Sequence, residues 1–456
     1  MSQNLKILLV SAVNTEVEVE RRYPNLGMAY LVSMVRKELP GAAVEFLITD
    51  KDIPAVSARF KPDLAGISSV SQNYNVAKEY AAYFEKADVP YLVGGVHISQ
   101  MPATLPKGAL AACLGEGEHT FVDVVRATLD GRLRDSIPAL PGLAYWDGAE
   151  LRFTEPRQQE PVLDNLPVPA RDLLEIRSHA YMFTSRGCPF RCTFCSSSRF
   201  WDKLRLFSAE YVVDEIEVLI REGVEMISFF DDLFVANFHR LEEMYELMEE
   251  RNLLGKVRFT CSCRADVVRP ELARLLKKMG VVSVGMGLES GDDEVLKFLK
   301  GGNVSVARNH DAINLLKDAG IAANASFVIG SPAETREQVM KTYDFVRNSR
   351  LDLFDVYVLT PLPGTPVWDM AVAKGLVGEE MDWSRLDVNL YRAPDKAVIM
   401  SDVLSRDEVV ELYNKFRRLR FRRNMLKVVN HPMKRDLPRI ALKMLQESVS
   451  SRLRRT

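Results

Sequence analysis

Three cysteines, Cys188, Cys192 and Cys195, stand within eight residues, with three and then two residues between them. The chain has six cysteines in 456 residues, so half of them are concentrated here. Such clustering in a reducing compartment points to metal chemistry and away from disulfides. A cubane iron–sulfur cluster has four irons, and three thiolates leave one iron open to bind a substrate. The same thiols could serve a structural zinc site completed by a histidine such as His179, although zinc usually takes its ligands as separated pairs and closes all four positions. Spacing alone leaves both readings standing. The remaining cysteines read as packing residues: Cys261 and Cys263 alternate with Ser262 and Arg264, so they share the face opposite the arginine, and Cys113 is expected in the core.

Two series of elements must position these groups. Residues 1–135 alternate short apolar runs (6–13, 44–48, 64–68, 90–93 and 109–114) with amphipathic segments, the first carrying Met28, Leu31, Val32, Val35 and Leu39 at helical spacing behind Asn25 as N-cap. That pattern implies a doubly wound, Rossmann-like parallel sheet, whose ligands bind at the carboxyl ends of the strands. Ser68, Ser69 and Ser71, Gly94 and Gly95, and Gly115, Glu116 and Gly117 fall at those ends. Residues 136–176 are broken by six prolines and read as a linker with one hairpin turning at Asp147–Gly148. Residues 177–384 carry a second series, with strands near 181–184, 226–230, 257–263, 281–287, 322–329 and 353–359. Six β/α units fit a partial barrel of the TIM type, which keeps its chemistry at the carboxyl ends of its strands. Residues 385–456 read as helical.

Composition narrows the class. Hydrophobic residues make up 47% and charged residues 27%, which excludes wholesale disorder, and no apolar run approaches the roughly 18–20 residues needed to cross a bilayer. Ile7–Val10 reads as a first buried strand and not a signal peptide, so the compartment expected is the cytoplasm. Residues 415–456 hold fourteen lysines and arginines against two acids; with a chain total of −2, the remainder carries −14. A basic amphipathic end of this kind packs its apolar stripe on the protein, binds nucleic acid, or lies on an anionic membrane, and packing is the default.

With these motifs in place the chain resembles the radical S-adenosylmethionine (SAM) enzymes. Their three-cysteine motif, with an aromatic residue before the last cysteine, matches Cys188, Cys192, Phe194 and Cys195. Phe229–Asp232, Arg264–Asp266, Gly287–Gly291 and Phe327–Glu334 then close successive barrel strands in the family's order. The resemblance implies a [4Fe–4S] cluster on the three thiolates, with the amine and carboxylate of SAM on the open iron. One electron, from a donor such as flavodoxin or ferredoxin, then gives a 5′-deoxyadenosyl radical that takes hydrogen from the substrate. It implies SAM contacts from Phe194, Asp231, Arg264, Glu289, Ser290, Gly330 and Glu334, with Glu289 the foremost acid.

The amino-terminal series is similar to the cobalamin-binding domain of the branch that includes anaerobic magnesium-protoporphyrin ester cyclases and cobalamin-dependent C-methyltransferases. The likeness rests on Pro24–Leu31, Ser68, Ser69, Ser71, Gly94–His97 and Gly115–Glu118. The Asp-x-His-x-x-Gly string that supplies a histidine to cobalt is absent: His97 and His119 lack an aspartate partner, so cobalamin without a histidine ligand is expected. The leading expectation is methyl transfer to an unactivated carbon of a small, hydrophobic substrate. Radical oxidation or ring closure of a tetrapyrrole or polycyclic lipid is the alternative. A non-enzymatic zinc-stabilised nucleic-acid-binding protein is the contrasting class, and nucleic acid is not the expected partner. Peripheral membrane contact through the basic end would suit an apolar substrate.

Overall fold

The computed structural model describes residues 4–13, 24–176, 178–390 and 395–427. Seven strands form the first sheet: β1 (Leu5–Ala12), β2 (Val44–Thr49), β3 (Leu64–Ser69), β4 (Tyr91–Gly94), β5 (Ala111–Cys113), β6 (Leu143–Asp147) and β7 (Glu150–Phe153), in the order β2-β1-β3-β4-β5-β6-β7. β1 to β5 run parallel, as the alternation with helices predicts. The helix Leu26–Glu38 starts where expected, with Asn25 Oδ1 accepting the Met28 N–H at 3.0 Å, and it buries Met28, Val32 and Val35. The hairpin β6–β7 differs from expectation. It adds to the edge of this sheet, with Ala112 opposite Ala144, because its apolar residues Leu143 and Ala144 have a core to enter.

The second sheet contains β8 (His179–Met182), β11 (Met226–Phe229), β12 (Arg258–Cys263), β13 (Val281–Glu289), β14 (Ala322–Ile329) and β15 (Leu353–Val358). They are all parallel, in the order β15-β14-β13-β12-β11-β8, so β8 and β15 are edges and the barrel is partial. A separate two-stranded ribbon joins β9 (Ser185–Arg186) to β10 (Arg205–Leu206). Along the six strands, one face is fully buried against helices, as at Phe259, Cys261 and Cys263. The other face is half-exposed and carries polar side chains that bond across strands: His179 Nε2 to Ser228 Oγ (2.9 Å), Ser228 to Thr260 (2.6 Å) and Asn324 to Ser283 (2.7 Å). This two-residue alternation made the strands readable. Cys261 and Cys263 are core residues as expected, whereas Cys113 is half-buried and borders a cavity, because it ends β5 where the sheet gives way to loops.

The helix Arg406–Lys427 lays Val409, Leu412, Tyr413 and Phe416 into the core beside β15. Several of its cations serve the protein itself: Arg420 pairs with Asp355, and Arg423 donates to the carbonyls of Val346 and Ser349 at 2.6 and 2.8 Å. Packing is thus the outcome up to Arg423, while residues 428–456 of the basic end lie outside the described residues. Among the described residues, no helix is long and apolar enough to cross a membrane. Truncating Phe416, 1% exposed, removes a large buried ring, and Phe416→Ala is expected to cost about 3 kcal/mol, against less than about 0.5 for Phe421→Ala at an exposed position of the same helix. Comparing the thermal midpoints of the two variants checks the packing.

Candidate active site between two parallel sheets

The ribbon β9–β10 closes a loop, residues 187–204, that contains all three clustered cysteines. Gly187 enters it at φ +88°, and a Cβ there would stand 2.7 Å from the Lys203 carbonyl, so the residue before Cys188 must be glycine. Thr193, between the second and third cysteines, donates its N–H to the Leu299 carbonyl at 2.9 Å and docks the loop on the end of the helix Asp293–Lys300. Phe194 packs into the apolar cluster that includes Val295, Leu299 and Trp368, which makes it an anchor of the loop.

Donors surround the sulfurs. Burial raises the pKa of Cys188, opposed by the Phe190 N–H and Arg264, and pushes Cys195 up to about 11, opposed by the N–H groups of Ser197 and Ser198. Arg264 Nη1 lies 3.5 Å from Cys192 Sγ, with its guanidinium over the Phe190 ring and held in a fork by Asp266 at 2.9 and 3.0 Å. Peptide donors and a fixed cation around three thiols are what anionic sulfur ligands of an iron cluster need, so the residues fit that group. Among the described residues, no three Cys, His, Asp or Glu side chains converge on the site of a single metal ion.

Several of the expected SAM contacts are braces. Asp231 is a brace: its Oδ1 accepts the N–H groups of Thr184 (2.6 Å) and Ser185 (2.9 Å), its Oδ2 takes the Thr184 hydroxyl, and burial pushes its pKa up to about 6. Its neighbour Asp232, which the resemblance does not single out as a contact, instead faces the cavity and accepts the Ser197 hydroxyl. Ser290 is fully buried, bonding Thr342 and accepting the Asp292 N–H, and Glu334 Oε2 accepts the N–H groups of Gly330 (2.7 Å) and Ser331 (3.1 Å). Burial pushes Glu334 up to about 7, and both residues shape the loops that bear them. Arg264 and Glu289 remain as charged groups near the cysteine loop. Glu289 lies in the left-handed region at φ +64°, with Oε1 4.0 Å from Lys300 Nζ, and its pKa is raised by burial against the pull of Lys300 and Arg264.

A mostly apolar cavity of about 440 Å³ separates the cysteine loop from the carboxyl edge of the first sheet. Ser68, Gly94, Gly95, Gly115, Glu116 and Gly117 line one wall; Phe183, Phe200, Trp201 and Phe230 line the other. Ser69 and Ser71 are buried behind this wall, Ser71 bonding His97 Nδ1 at 3.0 Å. Gly95 sits at φ +95°, and a Cβ there would lie 2.7 Å from Ser68 Oγ, so the wall is bare backbone at this point. A large flat ligand approaching a sheet edge needs such a wall. Neither His97 nor His119 lines this cavity. His97 is buried, holds Ser71 and Thr104 through its two ring nitrogens and lies tilted against the Tyr74 ring, centroids 3.7 Å apart. His119 bonds Glu160 at 2.9 Å.

Glu116 also differs from expectation, because its carboxylate is taken by the protein. It accepts Arg186 Nη1 (2.7 Å), Arg205 Nη1 and Nη2 (2.9 and 2.8 Å) and the Glu160 N–H (2.8 Å), while Glu118 takes Arg186 Nη2. Burial would raise the pKa of Glu116, but the bonds from Arg205 and Arg186 outweigh it and hold the carboxyl below its usual range. No local pattern marks these partners, which lie some 70 to 90 positions apart in sequence.

Comparison with known proteins agrees with this architecture. Residues 182–346 match the radical SAM superfamily model and residues 16–125 match the B12 binding domain model. An uncharacterized methyltransferase of Pyrococcus horikoshii is 33% identical, over 84% of this chain and 86% of the relative. The anaerobic magnesium-protoporphyrin IX monomethyl ester cyclase of Cereibacter sphaeroides is 27% identical, over 88% and 68% respectively. The radical SAM methyltransferase TsrM of Kitasatospora setae, solved with tryptophan and a SAM analogue, superimposes with a TM-score of 0.68 at 20% identity, covering 81% of this chain and 77% of that one. Two parallel sheets meeting at a three-cysteine loop define a radical SAM enzyme with an appended corrinoid-type domain. The chain belongs to the radical SAM superfamily, in the branch that carries a B12-binding domain ahead of the partial barrel.

Burial lowers the pKa of His97 from 6.5 to about 3. A base whose folded pKa is depressed contributes stability that is present above pH 6.5 and lost as pH falls toward 3, because the unfolded chain binds the proton more readily. Stability should therefore fall between pH 7 and 5 at up to about 1.4 kcal/mol per pH unit from this residue. Urea unfolding at both pH values checks this, with a flatter dependence expected for His97→Gln.

Proposed function

We propose that the protein is a cobalamin-dependent radical SAM methyltransferase that adds a methyl group to an unactivated carbon of a small molecule. The observation that carries this reading is the single cavity lined on one side by the glycine edge of the first sheet and on the other by residues of the cysteine loop. When bound, a [4Fe–4S] cluster with SAM supplies a 5′-deoxyadenosyl radical and a corrinoid supplies the methyl group.

The chain's own residues serve that chemistry in three ways. Cys188, Cys192 and Cys195 would hold the cluster, with Arg264 and peptide N–H groups stabilising negative sulfur. Glu289, next to Lys300 at the end of β13, would receive the SAM amine or ribose. Gly94, Gly95, Gly115 and Gly117 would face the corrinoid, and Phe183, Phe200, Trp201 and Phe230 exclude water from the space where a substrate radical would stand. A one-electron donor of the flavodoxin or ferredoxin type is required to start the reaction. Radical oxidation without methyl transfer is the rival outcome, and tracing the methyl label of SAM into product separates the two.

Two substitutions test the assignment. Cys192→Ala leaves two thiolates for the cluster, and 5′-deoxyadenosine formation under dithionite should fall to background with loss of bound iron. Unchanged product formation would reject the cluster site. Glu289→Gln removes a charge at nearly constant volume, and SAM affinity of the cluster-loaded protein, measured by equilibrium dialysis, should fall about tenfold, equivalent to about 1.4 kcal/mol. Equal affinity would make Glu289 a structural residue.

A further inference from the structure

The ribbon at the base of the cysteine loop places two cations against each other. Arg186 lies directly opposite Arg205 in the β9–β10 register, with side chains 8% and 3% exposed. Like charges directly opposite in an antiparallel pair repel, and burial denies them water. The compensation comes from outside the barrel. Glu116, on the loop after β5, accepts three N–H groups from the two guanidiniums, and Glu118 accepts a fourth. Trp201, inside the cysteine loop, lies 5.5 Å from each guanidinium and seals the cluster. The loop Gly115–Glu118 therefore has two neighbours: its glycines line the glycine-walled cavity, and its carboxylates hold the two strands from which the cysteine loop emerges.

We propose that Glu116 is a positioning residue that ties the cysteine loop to the glycine-lined cleft, so that a ligand in the cleft and the order of residues 187–204 stabilise each other. The tether is a property of the chain alone, whereas its coupling to a corrinoid rests on the function proposed above. Without the Glu116 charge, two buried guanidiniums face each other with one carboxylate between them, and the ribbon opens at the end that leads through Gly187 to Cys188. Coupling between two sites is reciprocal, so whatever the cleft ligand does for the loop, a filled loop must do for the cleft.

Hydrogen exchange followed by mass spectrometry on the full chain tests this, with wild type, Glu116→Gln, the charge-retaining Glu116→Asp and, should Glu116→Gln fail to fold, Arg205→Lys. Without ligand, amides in 187–204 should exchange at least about tenfold faster in Glu116→Gln while β13 and β14 keep their wild-type rates, and Glu116→Asp should recover part of the protection. Hydroxocobalamin should slow exchange of 187–204 in the wild type but not in Glu116→Gln, and cluster-loaded wild type should bind it several-fold more tightly than cluster-free protein. Unchanged exchange of the loop in Glu116→Gln overturns the tether. Equal protection by hydroxocobalamin in both proteins overturns the coupling. Absence of hydroxocobalamin binding by the wild type overturns the corrinoid reading and the coupling together, and the ligand-free exchange of Glu116→Gln tells that failure apart from failure of the tether.

Discussion

Two carboxylates and two guanidiniums, nearly dry, hold the carboxyl edges of the two parallel sheets face to face: Glu116 and Glu118 from one, Arg186 and Arg205 from the ribbon beside the other. Burying four ions is expensive, and an apolar cluster of similar volume could match their net stability. What ions provide is a defined register, since a guanidinium fork meets a carboxylate in few orientations. The register matters here because each parallel sheet gathers its polar loops at one edge, and a shared cavity exists when those edges oppose. The surrounding contacts follow the same placement: Tyr30 of the first unit stacks on Phe207, and Arg171, from the chain between the sheets, is paired with the buried Glu215.

Around that cavity, side chains near the strand ends fall into those that hold a loop and those that face the space. Asp231, Ser290 and Glu334 spend their oxygens on N–H and hydroxyl groups near the turns that bear them, and so fix the course of the chain after β11, β13 and β14. Arg264 turns its charge toward the sulfur of Cys192 and Asp232 faces the cavity, while Glu289 keeps its carboxylate beside Lys300. Both sets are needed. A ligand-facing group is accurate only when the backbone beneath it cannot drift.

That division sets the boundary of what the sequence reveals. Most strand positions are legible: in the second sheet alternation with a period of two shows up as polar and apolar letters, in the first the strands stand out as short apolar runs, and Asn25 marks its helix start locally. The first strand of the second sheet lies at 179–182 and not at the expected 181–184, and the two-residue strands β9 and β10 are too short to leave a pattern. The cysteine loop was legible from spacing, and the fold from the order of elements. The choice between Asp231 and Asp232 was not: adjacent residues at a strand end point to opposite faces, so naming the inward one requires the register. In the letters Glu116 looks like a ligand contact, because a carboxylate between two glycines at a sheet edge looks available, while the arginines that consume it lie far along the chain. The hairpin β6–β7 reads as part of a linker because nothing local shows that it adds to a sheet begun with β1. Pairing across such distances is a tertiary fact.

Glu289 narrows the evolutionary options of the site. Its backbone sits at φ +64°, which costs a residue with a Cβ about 1–2 kcal/mol and which glycine, asparagine and aspartate tolerate best. Substitutions that relax the backbone remove or shorten the carboxylate, and those that keep the length keep the strain. Backbone and side chain thus ask for different amino acids at one position. A lineage drifting away from glutamate there gives up the reach of the carboxylate toward Lys300 or keeps the strained backbone.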